Sequence, residues 1–207
     1  MRWIALVVPL AFAMGCQGVG KLDLLAGGRD RWQRPHDVIR ALELREGDRV
    51  ADLGAGEGYF VRHLAEAVGP TGEVYAVEVD EEIVEKLRQS FPPESGNVTA
   101  VLGKYEDPLL PDGSIDLVLI VNTYHHIEDR PAYFRELRKD LRPGGRVAVI
   151  EPNEDLGGIL GLTLDEGHTS SALRVEEEMR KAGYRVEARH EFLPVQIFRV
   201  FSRDDAG

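Results

Sequence analysis

A glycine-rich segment that follows an acidic residue is the part of the sequence whose chemistry can be argued first. Asp52 precedes three alternating glycines, Gly54, Gly56 and Gly58. Because glycine has no Cβ, such a backbone can turn tightly and approach a ligand closely. Dinucleotide-binding loops space their glycines G-x-G-x-x-G and direct a helix N-terminus at a pyrophosphate. Here the third glycine comes one residue earlier and the Asp52 carboxylate would repel a pyrophosphate, so the segment favours a ligand with an ammonium or sulfonium group.

Four other polar segments also follow apolar runs that have the length of strands. They are residues 78–80, 103–107, 122–126 and 151–153. In an open, doubly wound sheet, ligands bind in the crevice beyond the carboxyl ends of the strands. We therefore predict that these four segments and the glycine-rich segment line one crevice.

The elements that would position these segments follow from the hydrophobic pattern, in which apolar runs alternate with amphipathic stretches. This alternation is typical of βαβ units and a parallel sheet. The predicted strands are residues 49–53, 73–79, 98–102, 115–121 and 146–150, and the predicted helices are residues 30–44, 59–68, 81–91, 131–141 and 170–182. Residues 185–193 and 195–201 are predicted to be an antiparallel pair. The expected fold class is α/β, a Rossmann-like doubly wound, mostly parallel seven-stranded sheet with an antiparallel C-terminal strand.

The composition excludes several classes of partner. The 207 residues include 36 acidic and 25 basic residues, and this balance argues against a broad grip on nucleic-acid phosphates. A single cysteine, Cys16, excludes an internal disulfide framework and a cysteine-rich zinc site. His125 and His126 are adjacent and point in different directions, so they are a poor metal pair. We expect a small-molecule partner, no nucleic acid and no metal, and the sequence does not specify an oligomeric state.

The first sixteen residues differ in kind from the rest. Arg2 is followed by an uncharged, mostly apolar run over residues 3–13, which is too short to span a bilayer comfortably. Ala13, Met14, Gly15 and Cys16 then resemble a bacterial lipoprotein signal. This resemblance implies a signal peptide at residues 1–16, membrane attachment through a lipidated Cys16 in the cell envelope, a tether at residues 17–28 and one domain at residues 29–207. The alternative is an uncleaved apolar tail, or a start codon placed too early, on a cytoplasmic protein.

Four sequence blocks occur in a fixed order along the predicted sheet. They read VADLGAGEGYF at residues 50–60, VYAVEVD at 74–80, LPDGSIDLVL at 110–119 and LRPGGRV at 141–147. In this order and at this spacing, the chain resembles the class I S-adenosylmethionine-dependent methyltransferases, especially the small-molecule enzymes of the type 11-like group. The resemblance implies S-adenosyl-L-methionine as the cofactor and direct, in-line transfer of its methyl group to a small-molecule acceptor.

The resemblance also implies which residues bind the methionine end of the cofactor. Asp52, Gly54, Ala55, Gly56 and Gly58 belong to the first block and would lie there. The backbone of Ala55 would meet the carboxylate and the amine of the cofactor.

The next two polar segments would bind the nucleoside end of the cofactor. Glu78 would accept hydrogen bonds from the ribose hydroxyls, and Val79 would pack on the adenine. Many relatives carry an aspartate where this chain has Lys104. Either Glu106 substitutes for that aspartate, or the backbone around Tyr105 holds the adenine.

The segment after the fourth strand would contribute the residues nearest the reaction. The resemblance implies that Asn122 faces the sulfonium and that Tyr124, His125 and His126 lie on the acceptor side, with one of the two histidines facing the pocket. We predict His125 as a general base for a hydroxyl or an amine, with Tyr124 beside it. The alternative is that these residues only cap and pack the loop.

Three residues outside these blocks could also reach the crevice. Trp32 and Gln33 would lie near the cofactor if the leading helix forms a lid, and the alternative is a solvated helix face with Trp32 packed on the sheet. His168 could reach the acceptor, or it is a surface histidine.

Two other functions compete with methyl transfer. S-adenosylmethionine is made in the cytoplasm, so an exported chain could instead be a non-catalytic, cofactor-binding envelope protein or sensor. A nicotinamide-dependent oxidoreductase is the third hypothesis, and the glycine spacing argues against it.

Overall fold

A seven-stranded sheet lies at the centre of the computed structural model, which describes residues 28–92, 96–154 and 170–204. The strands are β1 (Arg49–Leu53), β2 (Glu73–Glu78), β3 (Val98–Leu102), β4 (Ile115–Val121), β5 (Leu141–Pro152), β6 (Tyr184–His190) and β7 (Gln196–Arg203). Their order in the sheet is β3-β2-β1-β4-β5-β7-β6. Strands β1 to β5 are parallel, and β7 pairs antiparallel with β5 and β6. The predicted Rossmann-like doubly wound sheet is therefore confirmed.

The helices that cover the sheet alternate with the parallel strands. They are α1 (Arg29–Gln33), α2 (Pro35–Leu42), α3 (Tyr59–Val68), α4 (Glu81–Ser90), α5 (Arg130–Leu137) and α6 (Ala172–Lys181), with a short 3₁₀ helix at Tyr124–His126. None of the helices in the described ranges is long and apolar enough to cross a membrane. The predicted signal peptide with Cys16, the tether up to residue 27, and His168 lie outside the described residues.

Two of the predicted helices differ clearly from the structure. The single leading helix predicted at residues 30–44 is divided in two at Arg34, which has a left-handed backbone with φ 46°. Pro35 causes this break, because proline disfavours the helical conformation in the residue before it. The helix predicted at residues 131–141 ends at Leu137, and β5 already begins at Leu141, since Leu141 pairs with Ile115 of β4 across a register shift.

An apolar cluster lies on each face of the sheet. One cluster joins β5 and β7 to α5 and α6 and includes Phe134, Met179 and Tyr184. The other joins β1 and β4 to α2 and α3 and includes Leu42 and Phe60. All seven residues of β4 are buried, as expected for a central strand covered on both faces. Full burial of one such side chain contributes roughly 1.5–3 kcal/mol, so the two clusters hold the helices firmly on the sheet.

The strand order reverses between β1 and β4. From β1 the chain proceeds outward to β2 and β3, and it then returns to place β4 and β5 on the other side. This reversal opens a crevice beyond the carboxyl ends of the parallel strands, which is where ligands bind in folds of this type. The polar segments that follow β1, β2, β4 and β5 meet at that crevice.

Candidate active site

The turn after β1 is held in place by the neighbouring strand. The backbone N–H groups of Gly54 and Ala55 both donate to the carbonyl oxygen of Val77 in β2, at 2.9 and 3.1 Å. Gly54, Gly56 and Gly58 all have left-handed backbones, with φ of 77°, 53° and 81°. Such φ values are costly for residues with a Cβ, so the chain needs glycine at these positions.

The space around the three glycines differs. A Cβ on Gly54 would overlap the side chain of Thr123, and one on Gly58 would come within 2.6 Å of the Phe91 ring. A Cβ on Gly56 would meet nothing within 4 Å. Gly54 and Gly58 therefore serve close packing, while Gly56 presents open backbone to the crevice.

Glu78, the last residue of β2, lies directly against this turn. Its Oε1 accepts a hydrogen bond from the N–H of Gly56 at 2.7 Å, and its Oε2 accepts one from the N–H of Val79 at 3.1 Å. The carboxylate is thereby oriented at the carboxyl ends of two adjacent parallel strands. Val79 beside it is partly exposed, at 39 %, and offers an apolar surface at the crevice.

Asp52 adds a second carboxylate beneath the same turn. It is 3 % exposed, and burial raises its pKa to about 7, while the positive charge of Arg29 lowers it and the negative charge of Glu78 raises it. The ionised form of a buried carboxyl is costly unless a positive charge lies nearby. The turn therefore favours a cationic ligand group.

The leading helix α1 lies across the amino end of α3, next to the glycine turn. The guanidinium of Arg29 lies 3.9 Å from the ring centroid of Tyr59, and the Tyr59 hydroxyl donates to Asp30. Trp32 and Gln33 are 3 % and 1 % exposed, so they do not form a solvated face. Helix α1 thus borders the crevice through its charged first turn and buries its last two residues.

The end of β4 continues into a strained residue. Asn122 has a left-handed backbone with φ 56°, and its N–H donates to the carbonyl of Ile150 in β5 at 2.9 Å. Its Oδ1 accepts a hydrogen bond from Nε2 of Gln196, the first residue of β7, at 2.8 Å. Asn122 is therefore fixed by both neighbouring strands at the edge of the crevice.

Tyr124 does not face the crevice as predicted. Its side chain is fully buried and stacks on Phe134, with ring centroids 5.4 Å apart. Its hydroxyl donates to Glu178 at 2.7 Å, and burial together with Glu178 raises its pKa well above the usual range. A large aromatic ring gains most from such burial when its hydroxyl finds a partner, and α5 and α6 provide both. The catalytic role predicted for Tyr124 is therefore replaced by a role in the core.

His125 points toward the end of β5. Its Nδ1 lies 2.6 Å from Oε2 of Glu151, and the other oxygen of Glu151 accepts a hydrogen bond from the N–H of Tyr124 at 2.8 Å. The His125 side chain is 7 % exposed and that of Glu151 is fully buried. The structure thus joins an imidazole and a carboxylate from the ends of two adjacent strands.

Comparisons with known proteins agree with this geometry. Residues 50–145 match the family model described as a methyltransferase domain. The chain is 31 % identical to the ubiquinone/menaquinone biosynthesis C-methyltransferase UbiE of Pseudomonas aeruginosa, over 69 % of this chain and 56 % of that protein. Over residues 50–145 the chain is therefore similar to methyltransferase domains. S-adenosyl-L-methionine is therefore the cofactor that this methyltransferase domain implies.

Solved structures show the same fold over most of the chain. A SAM-dependent methyltransferase from Aquifex aeolicus superimposes with a TM-score of 0.74 at 24 % identity, over 88 % of this chain and 96 % of that one.

A second relative, an uncharacterised 37.1 kDa protein of a Streptomyces fradiae transposon, is 36 % identical over 62 % of this chain and 35 % of its own length. The chain spans only about half of the UbiE protein and about a third of the transposon protein.

The methyltransferase domain brings most of the predicted cofactor residues together. Asp52, Ala55, Gly56 and Glu78 surround the turn after β1, and Asn122 lies across the crevice. The segment after β3 does not pack against the other predicted cofactor residues in the same way. The side chains of its three predicted residues, Lys104, Tyr105 and Glu106, are exposed. Lys104 closes a turn with Asp107 through two backbone hydrogen bonds.

Glu151 is the residue of the crevice that sequence reasoning missed. It lies in one of the polar segments that follow strands, residues 151–153, yet no motif singles it out. The available signal was a lone acid at the end of a long apolar strand, one strand away from a pair of histidines. Only the structure shows that Glu151 and His125 are in contact.

Proposed function

We propose that the protein is an S-adenosylmethionine-dependent methyltransferase that acts on a small-molecule acceptor by in-line displacement. The observation that carries this proposal is the hydrogen bond from Gly56 N–H to Glu78, above the buried carboxyl of Asp52. Two acids from adjacent parallel strands flank an open, left-handed glycine turn. That donor and acceptor set suits a ligand that carries positive charge and vicinal hydroxyls.

The residues of the crevice fit the cofactor at each end. The open space at Gly56 would admit the methionine part against bare backbone, and the carboxyl of Asp52, which interacts with Glu78 beside that turn, would oppose its positive charge. The carboxylate of Glu78 can accept hydrogen bonds from ribose hydroxyls, and Val79 offers apolar contact to the base. For the adenine of the cofactor, we propose either Glu106 or the backbone at Tyr105 as the hydrogen-bond partner.

The protein's contribution to the reaction would be mainly positioning. When bound, S-adenosylmethionine supplies an activated methyl carbon attached to a good leaving group. Asn122 and His125, which follow β4, would hold the acceptor in line with that carbon and exclude water, with Glu151 of β5 orienting His125. Orientation of this kind can lower a barrier by roughly 7–11 kcal/mol. The similarity to UbiE proteins, which are named as C-methyltransferases of ubiquinone and menaquinone biosynthesis, supports a small organic acceptor.

Calorimetry on the full-length chain tests the cofactor site. Titration with S-adenosylmethionine and with its demethylated product should give heat for both ligands. Glu78→Gln should weaken binding of both at least about tenfold, because the amide cannot accept two ribose hydrogen bonds as a carboxylate does. Gly54→Ala should abolish binding, because a Cβ there overlaps Thr123 and the backbone has φ 77°.

The matched control is Glu81→Gln, which alters an exposed acid in the first turn of α4. It should bind both ligands as the unaltered chain does. A flat trace from folded, unaltered protein would contradict the proposed function.

A further inference from the structure

Glu151 is a fully buried carboxylate whose two oxygens have separate tasks. Oε1 accepts from the backbone N–H of Tyr124 at 2.8 Å, and Oε2 lies 2.6 Å from Nδ1 of His125. Its backbone is held on β5, opposite Ile197 of β7. A buried carboxylate that takes part in two hydrogen bonds is held in one orientation, because leaving either oxygen without its partner would cost free energy.

This contact determines where the imidazole carries its proton. An ionised carboxylate can only accept hydrogen bonds, so the nitrogen that faces it must be the donor. In neutral His125 the proton is therefore on Nδ1, and Nε2 carries the lone pair. The same carboxylate stabilises the imidazolium that forms when Nε2 takes up a second proton.

We propose that Glu151 is the positioning residue for His125 as general base, and that the acceptor's reacting atom is a protonated oxygen, as in a phenol or an enol. This inference rests on the proposed methyl transfer. The proton of the acceptor O–H moves to Nε2 of His125 while an oxygen lone pair forms the bond to the methyl carbon. The carbon–sulfur bond breaks, its electron pair goes to the sulfur, and the positive charge ends on the imidazolium next to Glu151.

Oxygen acceptors gain more from such a base than thiols and amines do. A neutral hydroxyl is a weak nucleophile, and phenol-type groups ionise only near pH 10. A thiol ionises near pH 8.5 and attacks as the thiolate. An amine attacks through its own lone pair and can release its proton to water afterwards. An oriented imidazole at this site is therefore best matched to an O–H group.

Nitrogen NMR on the full chain with labelled histidine tests the pairing directly. Above neutral pH, the His125 signals should show protonated Nδ1 and unprotonated Nε2, and loss of those signals in His125→Gln assigns them. In Glu151→Gln the amide oxygen must still serve the N–H of Tyr124, so its NH₂ group faces Nδ1. Nδ1 then has to accept, and the proton should move to Nε2.

The matched control is Glu178→Gln, which alters a nearby carboxylate that binds Tyr124 and Arg130. This change should leave the His125 tautomer as it is in the unaltered chain. The proposal is overturned if the neutral His125 of the unaltered chain carries its proton on Nε2. It is also overturned if a folded Glu151→Gln protein keeps the proton on Nδ1. Cofactor binding, measured by calorimetry on the same samples, separates failure of this inference from failure of the proposed function.

The acceptor class is tested with a matched pair of probes, phenol and thiophenol, which differ only in the reacting atom. Methyl transfer to phenol should fall on the order of 100-fold in His125→Gln and in Glu151→Gln, the usual contribution of a general base. Transfer to thiophenol should change less than about threefold. Equal losses for both probes, or no transfer to phenol by the unaltered chain, overturn the assigned acceptor class.

Discussion

At the residue scale, Asp52 combines burial with a function that needs charge. It is 3 % exposed, and its pKa is raised to about 7 chiefly by burial. Near neutral pH, the ligand-free protein therefore holds a proton on Asp52 for much of the time. A cation bound beside the carboxyl favours the ionised form, so binding of the cofactor should release that proton.

The expected result is a pH-dependent affinity. Between pH 6 and pH 8, binding of S-adenosylmethionine should strengthen, with a slope of at most about tenfold per pH unit below the pKa of Asp52. Asp52→Asn should bind more weakly and lose this part of the slope. Calorimetry at three pH values measures both proteins, and the ligand's own amino group titrates equally in each. The same slope in Asp52→Asn and in the unaltered chain would show that Asp52 does not release the proton.

The histidine and tyrosine of the segment after β4 show what residue types alone cannot decide. Adjacent positions in a short 3₁₀ helix send their side chains in different directions, so Tyr124 packs on Phe134 while His125 meets Glu151. The sequence indicates that both residues follow a buried strand, but it does not indicate which of them turns inward. That choice depends on α5 and on α6, whose Glu178 is separated from Tyr124 by 54 positions in the sequence.

At the element scale, the turn between α5 and β5 contains an acid with an unusual environment. Asp140 is fully buried, and neither of its carboxylate oxygens has a hydrogen-bond partner among the described residues. Burial raises its pKa to about 7; Lys139 lowers it, and Asp107, Asp112 and Glu136 raise it further. Its backbone carbonyl accepts from the N–H groups of Ser114 and Ile115, and so it connects this turn to the start of β4.

The raised pKa of Asp140 determines whether the stability of the folded protein rises or falls with pH. The folded chain binds the Asp140 proton more tightly than the unfolded chain, so its contribution to stability is full below about pH 4 and is lost as the pH rises to about 7. Asp140→Asn cannot ionise. Its free energy of unfolding, relative to the unaltered chain, should therefore rise by about 2–4 kcal/mol between pH 4 and pH 8.

Urea unfolding at several pH values measures this difference. Glu81→Gln, an exposed acid at the start of α4, is the control and should show less than about 0.5 kcal/mol of change over the same range. A constant difference between Asp140→Asn and the unaltered chain from pH 4 to pH 8 would contradict the raised pKa.

Elements with a strong local pattern were predictable from the sequence, and elements set by distant pairing were not. Strand β4 and helix α3 have the predicted bounds, because a run of β-branched residues and an amphipathic period specify them locally. Strand β5 begins five residues earlier than predicted, at Leu141 instead of Arg146, because its first residue pairs with Ile115 across a bulge. The contact between His125 and Glu151 also depends on distant pairing and was not predictable, since the two residues are 26 positions apart in the sequence.

At the scale of the whole molecule, charge limits how the chain could associate with a membrane. The formal net charge is -11, and bacterial membrane surfaces are anionic, so the folded domain should be repelled from them. A stable attachment is therefore expected to come from the leader and not from the charged surface of the domain. The sequence prediction assigns it to a lipid on Cys16, within a run of small residues that follows an apolar segment.

This prediction has a direct test in a bacterial host. The full chain should incorporate radiolabelled palmitate and sediment with membranes after a wash in high salt, because a buried acyl chain does not respond to ionic strength. Cys16→Ser should lose the label and the sedimentation, while calorimetry should find its cofactor affinity unchanged, since no described residue of the crevice lies in the leader. An unlabelled, soluble parent chain would instead favour the cytoplasmic alternative, in which the cofactor is available where it is made.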